Sequence, residues 1–284
     1  MRKTLRRWGL AAMTCGFAVV LMTAAPGTGL AASAAPAPAV LATDFHGIVA
    51  LSNCSGSVVK TPTAALTDPA LVLTNGHCIE SGFPRPGQVI TNQASSRTFS
   101  LLSKNGQSRL GTLRAKKVIY ATMTGTDVTI YQLTTTYAQI QQTYGIAPLE
   151  LSASHPSAGV HIDVVSGYWR AMYSCNIDGF AYELHESDWV WKDSIRYTSP
   201  CHVIGGTSGS PVVETTTGKV VGVNNTTNED GEQCTLDNPC EVDAAGGVTI
   251  HQGIGYAEET YGIPACLKAG SEIDLNQPGC TLAR

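Results

Sequence analysis

The 284-residue chain is poor in charge, with 14% Asp, Glu, Lys and Arg, and poor in aromatics, at 7%. So few charges exclude a disordered polar tail, a charge-laced coiled coil and a basic nucleic-acid binder. No CxxC pair occurs and no Cys/His group has finger spacing, which excludes a structural zinc site of that kind. After residue 22 no long uncharged apolar run follows, so no second segment has the length of about 20 residues that a bilayer needs. Long stretches of helical period are also missing. What remains is a globular chain, and its first residues read as an address.

Arg2, Lys3, Arg6 and Arg7 form a positive start, Trp8 to Met22 an apolar stretch of secretory length, and Ala32-Ser33-Ala34 a small-x-small cleavage site. The expectation is a signal peptide over 1–34 and a secreted, extracellular product with no membrane association once processed. Arg6-Arg7 leaves twin-arginine export as an alternative, although no Ser or Thr directly precedes the pair. Residues 35–43 are Pro-interrupted and read as a short pro-segment or arm. Cys15 leaves with the signal. The remaining cysteines (Cys54, Cys78, Cys175, Cys201, Cys234, Cys240, Cys266 and Cys280) form an even set, which in an exported chain means disulfides.

The body is written in short β-branched runs, at 70–74, 117–120, 127–133, 160–165 and 219–223, separated by Gly, Pro, Asn and Ser clusters. This is an all-β pattern with room for one large or two small barrels. A Ser/Ala/Pro-rich stretch from Leu151 to Gly159 predicts a junction, giving segments 44–150 and 151–265 with a disulfide-stapled tail over 266–284. Charge divides at the same place: 8 basic and 5 acidic residues in 35–150, against 6 basic and 17 acidic in 151–284. The acidic half is either a solvated surface or a field that attracts cationic substrates.

Three segments carry chemistry. Gly205-Gly206-Thr207-Ser208-Gly209-Ser210-Pro211 sets a hydroxyl among small residues whose N–H groups can converge on an oxyanion. The Gly-x-Ser-x-Gly elbow of another hydrolase fold does not fit, because the second Gly directly follows Ser208. A serine nucleophile needs a base, and among seven histidines His77 has the best setting, in Leu73-Thr74-Asn75-Gly76-His77-Cys78 after an apolar run. A carboxylate must fix that imidazole. Asp127 heads the run Asp127-Val128-Thr129-Ile130-Tyr131, where burial without a partner would be costly; Asp163 is its rival.

In this His, Asp, Ser order the three segments resemble the chymotrypsin-like (trypsin-fold) serine proteases, in particular the bacterial secreted branch that includes the glutamyl endopeptidases. The resemblance covers residues 44 to 265. It implies two six-stranded antiparallel β-barrels with the site in the cleft between them. It further implies His77 as general base, Asp127 as its orienting partner, Ser208 as nucleophile and the N–H groups of Gly206 and Ser208 as the oxyanion hole. Cys54 with Cys78 is implied likewise. Nearest-in-sequence pairing then gives Cys175 with Cys201, Cys234 with Cys240 and Cys266 with Cys280.

The chain also departs from that family. Thr207 stands where animal digestive members have the Asp that pairs with the newly cut N-terminus. His202, six residues before the serine, stands where trypsin-like members bind Lys or Arg through Asp; it is expected to line the specificity pocket, the alternative being that, next to Cys201, it caps a disulfide loop and points to solvent. Asn224 stands where glutamate-cutting members have His, and Thr226-Thr227 replaces an aromatic and Gly on the pocket wall. Asn225, Thr226 and Thr227, with His202, are therefore the expected substrate-binding residues. Asn228 to Asp243 is an acidic segment read as a solvated disulfide loop rather than a calcium loop, since its spacing is no EF-hand. Asn53 and Asn225 begin glycosylation sequons.

The expected activity is serine endopeptidase hydrolysis of polypeptides through an acyl-enzyme, by a monomer with no cofactor, no metal and no nucleic-acid partner. The alternative is a catalytically silent protease-fold binding protein.

Overall fold

In the computed structural model, residues 41–199 and 201–284 are described. The expected signal peptide and most of the expected pro-segment, Cys15 included, lie outside the described residues.

The first sheet is built from β1 (Ile48–Ala50), β2 (Ser55–Lys60), β3 (Pro69–Thr74), β4 (Val89–Ala94), β5 (Thr98–Leu102), β6 (Arg109–Thr122), β7 (Val128–Thr136) and β8 (Leu149–Glu150). Its order is β1-β5-β6-β7-β3-β2, and β1 pairs back to β2, so six antiparallel strands close a ring; β4 joins β6, and β8 joins β2 in parallel. Closure removes the open edges that a sheet this size would otherwise present. The second sheet contains β9 (His161–Ser166), β10 (Ala171–Glu186), β11 (Trp189–Tyr197), β12 (Pro211–Glu214), β13 (Lys219–Thr227), β14 (Cys240–Val242), β15 (Val248–Thr249) and β16 (Gly255–Glu259). Here β11-β16-β13-β12-β9-β10 closes through β10 to β11, again six antiparallel strands, with β14 and β15 added outside β10. The two barrels match the expected fold class. A short β17 (Leu267–Lys268) and β18 (Glu272–Ile273) pair in the tail.

One helix, α1 (Tyr137–Tyr144), interrupts the β pattern. Thr136 and Gln139 form a reciprocal capping box and Gly145 ends it in the left-handed region. Burial of Tyr137 and Ile140 holds it against the first barrel.

Each barrel has its own apolar interior, the first around Val58, Val72, Leu101 and Tyr131, the second around Ile162, Ile177, Ile195 and Val212. A third cluster joins Ile48, Leu71, Leu73 and Ile130 to Val165, Val213, Val220 and Val223, so the barrels share a buried seam. The tail reinforces it by returning to the first barrel. Tyr120 donates to the Ala283 carbonyl oxygen, Gln132 to those of Gly270 and Ser271, and Lys117 pairs with Glu272. The four disulfides are Cys54–Cys78, Cys175–Cys201, Cys234–Cys240 and Cys266–Cys280, the pairing expected from the sequence.

Candidate active site

Strand register brings the first two candidates together. β3 pairs with β7 so that Leu73 faces Ile130 and Thr74 faces Thr129. The three residues that follow β3 and the one that precedes β7 therefore meet at one barrel end. Asn75 Nδ2 donates to the Asp127 carbonyl oxygen at 2.8 Å and fixes that meeting. Gly76 has to be glycine: a Cβ there would collide with the Thr122 carbonyl oxygen and with Asp127 Oδ1. The His77 backbone N–H donates to Asp127 Oδ1 at 3.0 Å, and His77 Nδ1 lies 2.6 Å from Oδ2. Asp127 is fully buried, while the imidazole side chain retains 19% exposure. The disulfide between Cys54 and Cys78 ties this loop to the start of β2, and closing a 24-residue separation stabilises by roughly 3 kcal/mol on a chain-entropy model.

Burial works against charge on His77, but the charge and hydrogen bond of Asp127, with weaker contributions from Glu186 and Asp237, outweigh it and leave the imidazole above its ordinary value of 6.5. That arrangement suits a base that must hold a proton during a reaction. Phe83 packs edge-on against the ring, with centroids 5.7 Å apart, and covers one side of it.

The second barrel supplies Ser208. β12 pairs with β13 from Pro211 opposite Val223, so the residues just before β12 run alongside Asn224 and Asn225. Gly209 N–H donates to the Asn224 carbonyl oxygen, Asn224 N–H to that of Ser210, and the Ser208 hydroxyl to that of Asn225 at 3.2 Å. Gly209 adopts φ +81°, and a Cβ there would strike Thr74 and the Ser55 carbonyl oxygen across the seam. Ser55 N–H also donates to the Ser208 carbonyl oxygen at 2.8 Å, which locks the serine segment to the first barrel.

Backbone donors in this turn divide into two sets. The N–H groups of Thr207, Gly209 and Ser210 have carbonyl acceptors, whereas those of Gly206 and Ser208 have no acceptor among the described residues. Two unspent donors flank the serine hydroxyl. Thr207 donates to the Ile204 carbonyl oxygen and accepts from Asn224 Nδ2 at 3.1 Å. Neutral hydrogen bonds hold the turn here.

One cleft collects these groups. It is lined by His77 and Ser208, by Asn224, Asn225, Thr226 and Thr227, and by apolar Phe83, Met123, Trp191, Ile204 and Leu236. Three of the four expected substrate-binding residues thus face it. His202 does not. His202 is exposed between buried Cys201 and Val203 and is not among the residues that line the cleft, whereas Ile204 and Gly205 are. The rival carboxylate Asp163 lies within β9 and accepts from Ser174 on the neighbouring strand, away from His77. Asn225 is 3% exposed with its Nδ2 on Glu258 Oε1, so its sequon offers no site for a glycan.

The acidic segment is not a solvated loop throughout. The Cys234 carbonyl oxygen accepts from Ser187 N–H at 2.8 Å, and the Asp237 N–H donates to Glu186 Oε1 at 3.0 Å. These bonds dock the small disulfide loop onto the β10–β11 turn and make Glu229, Leu236 and Asp237 a cleft wall beside Glu186. Glu186 was not a sequence candidate. Burial, with the neighbouring charge of Asp237, pushes its carboxyl up to about 7.

A separate trio brings His155 Nε2 to 3.2 Å from Asp193 and 3.3 Å from Glu259. The His155 Nδ1 faces the Pro156 carbonyl oxygen at 2.6 Å, and none of the three residues lines the cleft. Cys54 and Cys78, although near His77, are joined to each other and offer no thiolate to a metal.

Residues 54–223 match the trypsin-like peptidase domain, more than half of the chain. Among solved structures, the protease domain of MamO from Magnetospirillum magneticum is 13% identical, with 80% of this chain and 98% of that one covered and a TM-score of 0.50. The Rv3671c protease of M. tuberculosis, in its inactive form, is 17% identical over 75% of this chain and 83% of its own, with a TM-score of 0.46. Likeness at these identities is likeness of fold. No curated protein sequence matches the chain.

Proposed function

The chain belongs to the trypsin-like peptidase domain family, serine endopeptidases that hydrolyse polypeptides, and within it we propose that Ser208, His77 and Asp127 form a working triad. The observation that carries this reading is the buried Asp127 at 2.6 Å from His77 Nδ1 in the cleft that also presents Ser208. With Nδ1–H donated to Asp127, Nε2 keeps its lone pair, the tautomer a general base needs. The Ser208 hydroxyl exchanges its bond to the Asn225 carbonyl oxygen for one to Nε2 when substrate enters. Its oxygen then bonds to the scissile carbonyl carbon as its proton passes to Nε2. The N–H groups of Gly206 and Ser208 donate to the oxyanion that forms. Collapse breaks the C–N bond, and the leaving amine takes the proton from His77. Water, activated by the same imidazole, then releases the acyl group as a carboxylic acid and restores the serine.

Asn225, Thr226 and Thr227 line the path of the substrate. We further propose that the enzyme acts as a monomer and that the scheme calls on no metal or cofactor. Removal of 1–34 and export fit the four disulfides; no described helix is long and apolar enough to cross a membrane. The twin-arginine route and the silent, binding-only reading remain the competing proposals.

Rapid mixing of mature protein with a chromogenic ester tests the scheme. A burst of about one equivalent of alcohol, followed by slower turnover, is expected from an acyl-enzyme. Turnover without a burst would mean that no acyl group accumulates, and neither burst nor turnover from folded protein would favour the silent reading.

A further inference from the structure

The cleft has an electrical imbalance that the triad does not use. Glu186, Glu229 and Asp237 line it and no Lys or Arg does. Glu186 closes β10 and is 4% exposed; Oε1 accepts from the Asp237 N–H, Oε2 has no hydrogen-bond partner of full geometry among the described residues, and the Thr226 hydroxyl nearby is a neutral group that stabilises its charge only in part. A carboxylate taken from water without a cation or a full set of donors is costly, and proteins keep such groups chiefly where something else completes them.

The surroundings say what would complete it. Trp191, Met123, Phe83 and Leu236 give the same cleft apolar walls, which suit the methylene stem of a long side chain whose head carries charge. Thr226 and Thr227 add only small neutral groups. Exposed Glu229 and Asp237 extend the negative potential toward solvent, where an incoming cation would meet it first.

We propose that Glu186, with Asp237 beside it, is a specificity-determining carboxylate that receives the ammonium or guanidinium head of a Lys or Arg side chain of the polypeptide substrate. The inference rests on the catalytic reading of the cleft. It differs in position from the trypsin-type arrangement, because the residue six before Ser208 is His202 and faces solvent. Glu186 instead reaches the cleft from the β10–β11 turn, held there by the Cys234–Cys240 loop through the Ser187 and Asp237 amides. A bound cation would also draw the carboxyl down from about 7 and keep it ionised at neutral pH.

The test uses mature wild-type protein, Glu186→Gln and Asp237→Asn on a peptide library sampled for cleavage sites, with a fluorophosphonate probe applied to each protein in parallel. Wild type should concentrate its cuts at peptides with Lys or Arg at one fixed position relative to the scissile bond. Glu186→Gln should reduce the ratio of kcat/KM for cationic over neutral side chains at that position by about tenfold or more, and Asp237→Asn by a smaller factor. Added salt should reduce the wild-type ratio in the same direction. Because Asp237→Asn retains the backbone donor, it reads the charge effect even where Glu186→Gln fails to fold. Labelled Ser208 with no Lys or Arg enrichment, or enrichment that both variants preserve, would overturn the assignment of Glu186 alone. Absence of labelling in folded wild type would overturn the catalytic reading and this assignment with it.

Discussion

The two barrels share a topology and differ in how they treat buried charge. In the first, Asp127 is the one buried carboxylate among the described residues, and His77 is bonded to it. Two of its other acids are compensated: partial burial raises Glu80, but the hydroxyls of Ser95 and Tyr131 and the charge of Arg97 bring its carboxyl below the usual range, and Lys60 and Lys219 do the same for Glu150. In the second barrel burial wins at three glutamates. It pushes Glu186 up to about 7, Glu258 to about 8 and Glu259 to about 9. The difference teaches a division of labour. One barrel fixes an imidazole with a single paired carboxylate, and the other buries carboxyls that hold their protons more tightly, one of them, Glu186, in the cleft beside the serine it presents.

The largest expected effect comes from cutting the connection between barrels. Ser208→Ala and His77→Ala should each lower kcat on a peptide substrate by about 10⁶-fold, with little further loss in the double variant, because the two act as a unit. Losses that multiply in the double variant would separate the barrels functionally. Next, Asp127→Asn should fold as wild type and lose about 10⁴-fold, while Asp163→Asn keeps its activity; the assay is kcat on the same peptide, and the reverse outcome would move the third member to the second barrel.

A smaller effect sharpens the electrostatic side. The base must be neutral to act, and its proton is held above 6.5, so kcat/KM on a neutral peptide should rise with pH through a midpoint above 6.5, about tenfold per unit on the acid side. In Asp127→Asn the residual activity should show that limb displaced to lower pH. A midpoint unmoved by the substitution would detach Asp127 from the titration.

The smallest effect is on stability. Folded Glu258 holds its proton to about 8 against an ordinary 4.5, so its contribution is whole below about 4.5 and falls away as pH rises through 8. Glu258→Gln keeps an oxygen for the donors Asn225 and Ser194. Relative to wild type it should therefore gain on the order of 1–3 kcal/mol between pH 5 and pH 9, read by urea unfolding. No pH dependence in that difference would mean that the second barrel does not bear the charge cost described.

Much of the frame was legible because it is written in local pattern. The β-branched runs at 70–74, 127–133 and 219–223 fall within β3, at the head of β7, and in β13. The His, Asp and Ser motifs sit at strand ends that register brings together. One further feature is written locally: Thr136-x-x-Gln139 with Gly145 spells a capped helix. Glu186 was not readable. In sequence Glu186-Ser187-Asp188 looks like a solvated hairpin tip, and only contacts with a loop some 50 residues later bury it. Long-range docking leaves no mark in local periodicity.

The most direct test of the account is the site of covalent capture. Mature protein treated with a fluorophosphonate, digested and mapped by mass spectrometry should carry one adduct, on Ser208, with labelling strongly slowed in His77→Ala and absent in Ser208→Ala. An adduct on another residue, or none on a protein shown to be folded, would contradict the claim that the two barrels assemble a working nucleophile between them.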